Sequence, residues 1–450
     1  MSFYKLVTNY LKEHKTIILH IIVSLALVAI SALIFALRYQ PAFQTPNFYA
    51  EDGSVFVNHV IHKDFIASTL SGFNGYLVAG EYLLAELAVG LHTLSGLPFY
   101  ELPKIIAIVS CAFLGATVSL PYILFRKQLG VTLAVATVIV SAFVPMPAYD
   151  YAIIGTLGNL KFAFLYWAFL LILYRPRIIN NTKKLVVVDL LLLLCVLTNV
   201  LTVLLLPLIL FSYKKEGGAL LRLKKMKSVL SPHLIGLFIL AVISFLYLLV
   251  IYFKQIPKLP GYLDTPYQLA ATPKILYRVT LYSWLHPVTS TFRDVLTIGL
   301  LLLFSVYSLL NRADRKVFLI GSWTILVATL GFVINRPGIS DFFVKYSSSP
   351  DQFFYAQSLI FIFMSSWLLR KYFKNSLKHN LLLIFITFLY LWWAAPYSSS
   401  FGRNQAIYAN IGTAQQNLSA ACSKPGENII FIIYPSVQWN WTVPRSIACN

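Results

Sequence analysis

Glu51 and Asp52 stand side by side in Phe48-Tyr-Ala-Glu-Asp-Gly-Ser-Val-Phe56, in a chain of which only 12% of residues are charged. Adjacent carboxylates just after a long apolar segment are costly beside a membrane, which points to proton or ion handling rather than packing. Three roles fit these residue types. Asp52 or Ser54 can cap a helix that begins at a Gly53 turn. The pair can attract Mg²⁺ or Ca²⁺. A carboxylate within reach of a hydroxyl can take its proton as a general base, and this is compatible with capping.

Other residues could join that chemistry. Asp150 follows Pro145-Met-Pro-Ala-Tyr149 at the end of an apolar segment and is the best second acid, although a solvated loop acid has the same look. Glu81 and Glu86 are five residues apart, so one of them can face a site on a helix but both do not share a narrow face. Lys161, in Gly158-Asn-Leu-Lys161, sits at the mouth of an apolar segment; Arg278, Arg293 and Lys345 lie in polar stretches farther on. Such groups grip phosphates, or snorkel to lipid headgroups. His59, His62 and His286 do not combine with other ligands at zinc-site spacing, so no zinc site is expected. There is no P-loop, GxGxxG, nucleophile elbow or CxxC. A nucleotide-driven reaction is therefore disfavoured.

These residues must be positioned by membrane-spanning elements. The chain has 450 residues, is 58% hydrophobic and carries a net charge of +20. Its basic residues form short runs between apolar stretches: Lys5 to Lys15, Arg126/Lys127, Arg175 to Lys184, Lys214 to Lys227, Arg312 to Lys316 and Arg370 to Lys378. That placement reads as the positive-inside pattern of a polytopic membrane protein, not as a nucleic-acid surface. About twenty apolar residues cross a bilayer as a helix. Eleven spans are expected, at 16–38, 103–125, 129–147, 159–174, 185–198, 199–213, 232–253, 294–311, 316–334, 353–370 and 380–396. With the N-terminus in the cytoplasm, every basic run falls inside and the tail falls outside.

Two stretches need a choice. Residues 76–95 are apolar enough to span, but counting them would invert the charge pattern downstream. Segments 55–70 and 76–95 are therefore expected as outer-surface helices, the first with a stripe of Val55, Phe56, Val60, Ile61, Phe65 and Leu70. Residues 185–213 have lysines on both flanks, so they are expected to turn near Thr198-Asn199 as two short spans beside a cavity. The expected organisation is a helical transmembrane domain over 1–396, with a first outer loop at 39–102, and a small α/β appendage over 397–450. Cys422 and Cys449 lie in that polar tail and would pair in an oxidising compartment, whereas Cys111 and Cys195 lie in apolar segments.

An acidic pair in the first outer loop, surface helices after it, a bundle with short broken helices and an outer C-terminal piece together resemble the GT-C membrane glycosyltransferases. Within that class the size, basic N-terminus and cysteine-bearing tail resemble the phage-type serotype-converting O-antigen glucosyltransferases of bacterial inner membranes. The resemblance implies an inverting transfer of a sugar, glucose in that group, from undecaprenyl phosphate to lipid-linked O-antigen of lipopolysaccharide on the periplasmic side. It places Glu51/Asp52 at the first-loop catalytic acid and Asp150 at the second-loop acid. Lys161, Arg278, Arg293 and Lys345 become donor-phosphate contacts, and Trp439 and Trp441 become stacking surfaces for the acceptor, with packing of the tail as their alternative. No cofactor is required on this reading, although a divalent metal such as Mg²⁺ fits. The Glu-Asp order departs from the Asp-Glu order familiar in several GT-C families, which leaves open which carboxylate is the base. The competing expectations are an O-antigen polymerase or ligase, and a lipid or sugar flippase without chemistry.

Overall fold

A computed structural model describes residues 3–73, 75–146, 153–212, 232–254, 265–280, 282, 299, 306–307, 311, 314–344, 353–373, 376–398, 413–433 and 440–449. It is mostly helical with few strands. Among the described residues, four stretches are long and apolar enough to cross a membrane: Ile17–Arg38, Phe99–Leu129, Arg315–Ile334 and Leu377–Ala394. Shorter apolar helices at Val131–Ala142, Ile235–Val250 and Tyr355–Leu369 pack among or beside them. Residues 294–298, 300–305, 308–310 and 312–313 of the expected span region lie outside the described residues.

The first helix, Phe3–Arg38, exposes Ile18, Leu19, Ile22, Leu25 and Leu33 on one side, as a lipid-facing helix does. Its other side packs on the helix Leu102–Leu129. The crossing is close at Gly115, where a methyl group would lie 2.5 Å from the Val28 carbonyl oxygen. At its C-terminus Arg38 is buried and donates to the carbonyls of Ala142 (2.7 Å) and Val144 (2.9 Å). Those are open acceptors at the end of the helix Val131–Ala142, where a cation is favoured.

Acids and bases deep in the bundle are paired. Arg175 is fully buried and grips Asp189 through Nε (2.6 Å) and Nη2 (2.9 Å), so the aspartate inside the expected span 185–198 has a bidentate partner. Asp314 is likewise held by Arg370, Lys371 and Tyr307.

The first loop differs from the expected pair of surface helices. Residues 55–70 break into a six-residue π-helix, Asp52–Val57, then Asn58–His62, then Phe65–Thr69. The break has a local cause: Asp64 caps the third piece by accepting from the Ala67 N–H at 2.8 Å. The expected apolar stripe is split accordingly, with Phe56 fully buried but Phe65 and Leu70 half-exposed. A tight hairpin follows, Gly72–Phe73 pairing antiparallel with Tyr76–Leu77, and Gly75 takes the left-handed conformation its turn requires. The helix Ala79–Ser95 then packs against Leu102–Leu129 and Thr182–Thr198.

The expected break near Thr198-Asn199 is present. The helix Thr182–Thr198 ends there, and Asn199 caps a 3₁₀ turn, Val200–Leu205, that leads into Pro207–Ser212. The tail forms a helix, Ala414–Cys422, opened by a reciprocal Thr413/Gln416 capping box, and a hairpin of Asn428–Ile432 with Asn440–Pro444. Cys422 and Cys449 are joined by a disulfide; Cys111 and Cys195 are free and buried.

Candidate functional site

The π-helix, the helix Ala79–Ser95 and the start of the helix Lys161–Tyr174 converge on one small set of charged groups. Asp52 opens the π-helix, in which the Asn58 N–H donates to the Gly53 carbonyl five residues back. Single π turns concentrate at functional sites because they redirect a side chain that an α-helix would place elsewhere. Here Asp52 turns inward and is only 1% exposed. Its Oδ1 accepts the N–H groups of Leu157 (3.0 Å) and Gly158 (2.9 Å), and its Oδ2 also accepts from Leu157 (2.9 Å).

Glu81 reaches the next backbone donor. It is fully buried, and its Oε1 accepts the Lys161 N–H at 3.2 Å. The N–H groups leading into a helix form a positive end that carboxylates fit well. Two acids from separate parts of the first loop thus occupy the start of the Lys161 helix. The Lys161 carbonyl is held in turn by the Asn199 amide at 3.1 Å, so the broken helix borders the site. Thr198 completes the link by accepting the Gly80 N–H at 2.8 Å.

The Lys161 side chain folds back over its own turn. Nζ donates to the Gly158 carbonyl at 2.8 Å and lies over the rings of Phe73 (5.4 Å), Phe162 (5.6 Å) and Tyr76 (5.8 Å). Glu51 is half-buried on the accessible side of the same turn. A methyl group on Gly158 would lie 3.5 Å from Asp52 Oδ1 and 3.7 Å from Glu51 Oε2, so the two acids flank one glycine. Burial pushes the Asp52 carboxyl up to about 8, against the pull of the Leu157 and Gly158 N–H groups and the Lys161 charge. Burial pushes Glu81 up to about 8 as well; Lys161 opposes this, while Asp52 and Glu51 add to it.

The sequence-chosen residues are thus distributed unevenly. Glu51, Asp52 and Lys161 meet at one turn. Asp150, Arg293, Lys345 and Trp439 lie outside the described residues. Arg278 is 1% exposed, donates to Ser358 Oγ at 3.0 Å and stacks 4.3 Å over Tyr282. Its helix, Thr272–Val279, shares an apolar cluster with Phe162, the neighbour of Lys161. Trp441 is 3% exposed, so its ring does not present an open stacking face. It packs on Phe48 (5.0 Å) and Phe99 (5.8 Å), and its Nε1 donates to Asn58 Oδ1 at 3.1 Å. The packing alternative accounts for this residue: the tail presses on the back of the π-helix at Gly53, where a methyl group would meet the indole at 3.0 Å.

Glu81 and Arg336 enlarge the set. Glu81 was only one of two acids that could face a site. Arg336, whose charge is felt at Lys161, carried just the signal of a basic residue outside the inner runs. Among the described residues no group of three or more His, Cys, Asp or Glu side chains is placed to hold a metal ion. Comparison with protein-family models, with curated proteins and with solved structures gave no match.

Proposed function

We propose that this chain is a GT-C-type membrane glycosyltransferase that moves a sugar from a polyprenyl-phosphate donor to a lipid-linked glycan. The observation that carries this reading is the placement of Glu51, partly buried, beside buried Asp52 and Lys161 at one helix start. A general base must reach its substrate, and Glu51 has an accessible side whereas both Asp52 oxygens are occupied by backbone donors. Glu51 is accordingly the base and Asp52 the group that fixes the turn.

In the reaction, the acceptor hydroxyl gives its proton to the Glu51 carboxylate as its oxygen bonds to the anomeric carbon. The bond from that carbon to the phosphate oxygen breaks, and the electron pair leaves with the polyprenyl phosphate. Lys161, which is buried and acts through its field rather than by contact, and Arg336, whose charge reaches Lys161, offset the charge that grows on the leaving phosphate. One displacement inverts the anomeric centre. Glucose as the sugar, O-antigen as the acceptor, eleven spans, a cytoplasmic N-terminus and a periplasmic tail complete the reading.

The test is purified protein in detergent with a polyprenyl-phosphate sugar and a lipid-linked acceptor, the product's anomeric configuration being read by NMR. An inverted product is expected, with Lys161→Met lowering kcat/KM by on the order of a hundredfold. A retained anomeric configuration, or full activity in Lys161→Met, would refute the mechanism.

A further inference from the structure

Asp52, Glu81 and Lys161 are all nearly or fully buried, and they comprise two acids and one base. Three full charges would leave an uncompensated negative charge in a site shielded from water, which is expensive. One of the two acids is therefore better neutral, and hydrogen bonding distinguishes them. Each oxygen of Asp52 accepts a backbone N–H, and such donors favour the ionised carboxylate. Glu81 is different: Oε1 accepts one N–H, but Oε2 is buried with no hydrogen-bond partner among the described residues. A carboxylate oxygen with no donor is a poor place for charge and a good place for a proton.

We propose that Glu81 is a positioning residue that carries one proton on Oε2, leaving Asp52 and Lys161 as the charged pair of the site. Other ionisable groups around it are consistent with that assignment. Glu51, at the N-cap position of the π-helix, adds a second negative charge nearby, and Lys161 from the facing helix is the cation whose charge acts on Glu81. Arg336 and Tyr76 act on Lys161 rather than on Glu81. Tyr82, on the same helix as Glu81, is tied to His59 at 2.6 Å. Burial raises the Asp52 and Glu81 carboxyls alike, to about 8, so a proton is held between them through neutral pH and the backbone donors on Asp52 place it on Glu81.

The functional consequence rests on the glycosyltransferase reading. With Glu81 neutral, the two cations Lys161 and Arg336 balance the two carboxylates Asp52 and Glu51. Once Glu81 ionises, the same site carries a net negative charge and repels a phosphate. Phosphate-donor binding should weaken above about pH 8 through Glu81, while Glu51 governs the chemical step.

Infrared difference titration of the full-length protein tests the proton assignment without reference to any activity. Near pH 7 the wild type should show a protonated-carboxyl C=O band that is lost as pH rises through about 8. Glu81→Gln, which keeps an acceptor for the Lys161 N–H, should lose the band. Carboxyl-¹³C labelling of glutamate should shift the wild-type band, whereas a proton on Asp52 would leave it unmoved. Persistence of the band in Glu81→Gln, or a band that does not move with the label, would overturn the proposal. In parallel, affinity for polyprenyl monophosphate should fall by up to about tenfold per pH unit above that transition in wild type but not in Glu81→Gln. The expected band losses together with pH-insensitive binding would sustain the proton on Glu81 and overturn the donor reading.

Discussion

At the residue scale, Glu51 and Asp52 share a sequence motif but not an environment. One residue of helical rotation sends Asp52 into backbone donors and leaves Glu51 at an accessible edge. Asp52→Asn keeps one acceptor oxygen but loses charge-assisted bonds, each worth about 1.5–3 kcal/mol. The variant should therefore show a lower thermal midpoint in detergent along with reduced activity. Stability should also depend on pH in a set direction. A buried carboxyl raised to about 8, against about 4 in an unfolded chain, holds a proton in the folded state that the unfolded state has released. Its contribution is full below about pH 4 and is lost as pH rises toward 8. Midpoints measured from pH 5 to 9 should decline more steeply for wild type than for Glu81→Gln, and equal slopes would count against the Glu81 environment. The pair itself was legible in the sequence because acids are rare in so apolar a chain. Its division of labour was not, since backbone N–H groups more than a hundred residues away decide it.

At the scale of elements, apolar run length found the long helices and the flanking lysines found the break at Asn199, both of which are readable along the chain. The first loop was less legible. A π turn differs from an α-helix by one inserted residue, and two-residue strands are too short to show alternation. Trp441 explains why the π turn persists. Its ring fills the space against Phe48, Phe99 and Gly53 from a tail nearly four hundred residues away. Trp441→Ala should cost about 3–5 kcal/mol at this contact and raise hydrogen exchange across residues 52–58. Unchanged exchange there would mean that the tail does not brace the turn. Gly115→Ala meets backbone rather than a flexible side chain, so it should destabilise the crossing of the first helix by about 1–3 kcal/mol, as read by detergent unfolding.

At the scale of the whole molecule, the design is a helical membrane body whose small tail is stapled and pressed onto the first loop. Ala414 donates to the Pro46 carbonyl, Trp441 packs under Gly53, and the Cys422–Cys449 bond closes the tail across 27 residues. An appendage of that size has little core of its own, so the staple should matter. Cys422→Ser is expected to weaken the tail by about 2–4 kcal/mol and to expose it to protease. On the proposed topology, a reporter fused after Trp393 should be active only outside the cytoplasm, and activity inside would overturn that topology. Composition and charge made the membrane class legible, whereas docking of the tail onto the loop left no trace in local sequence. The most direct test of the account is sugar transfer by Glu51→Gln, measured beside wild type after equal membrane insertion is confirmed. The account predicts that kcat falls by on the order of 10²–10⁴ while donor binding is kept. Full transfer by Glu51→Gln would contradict it.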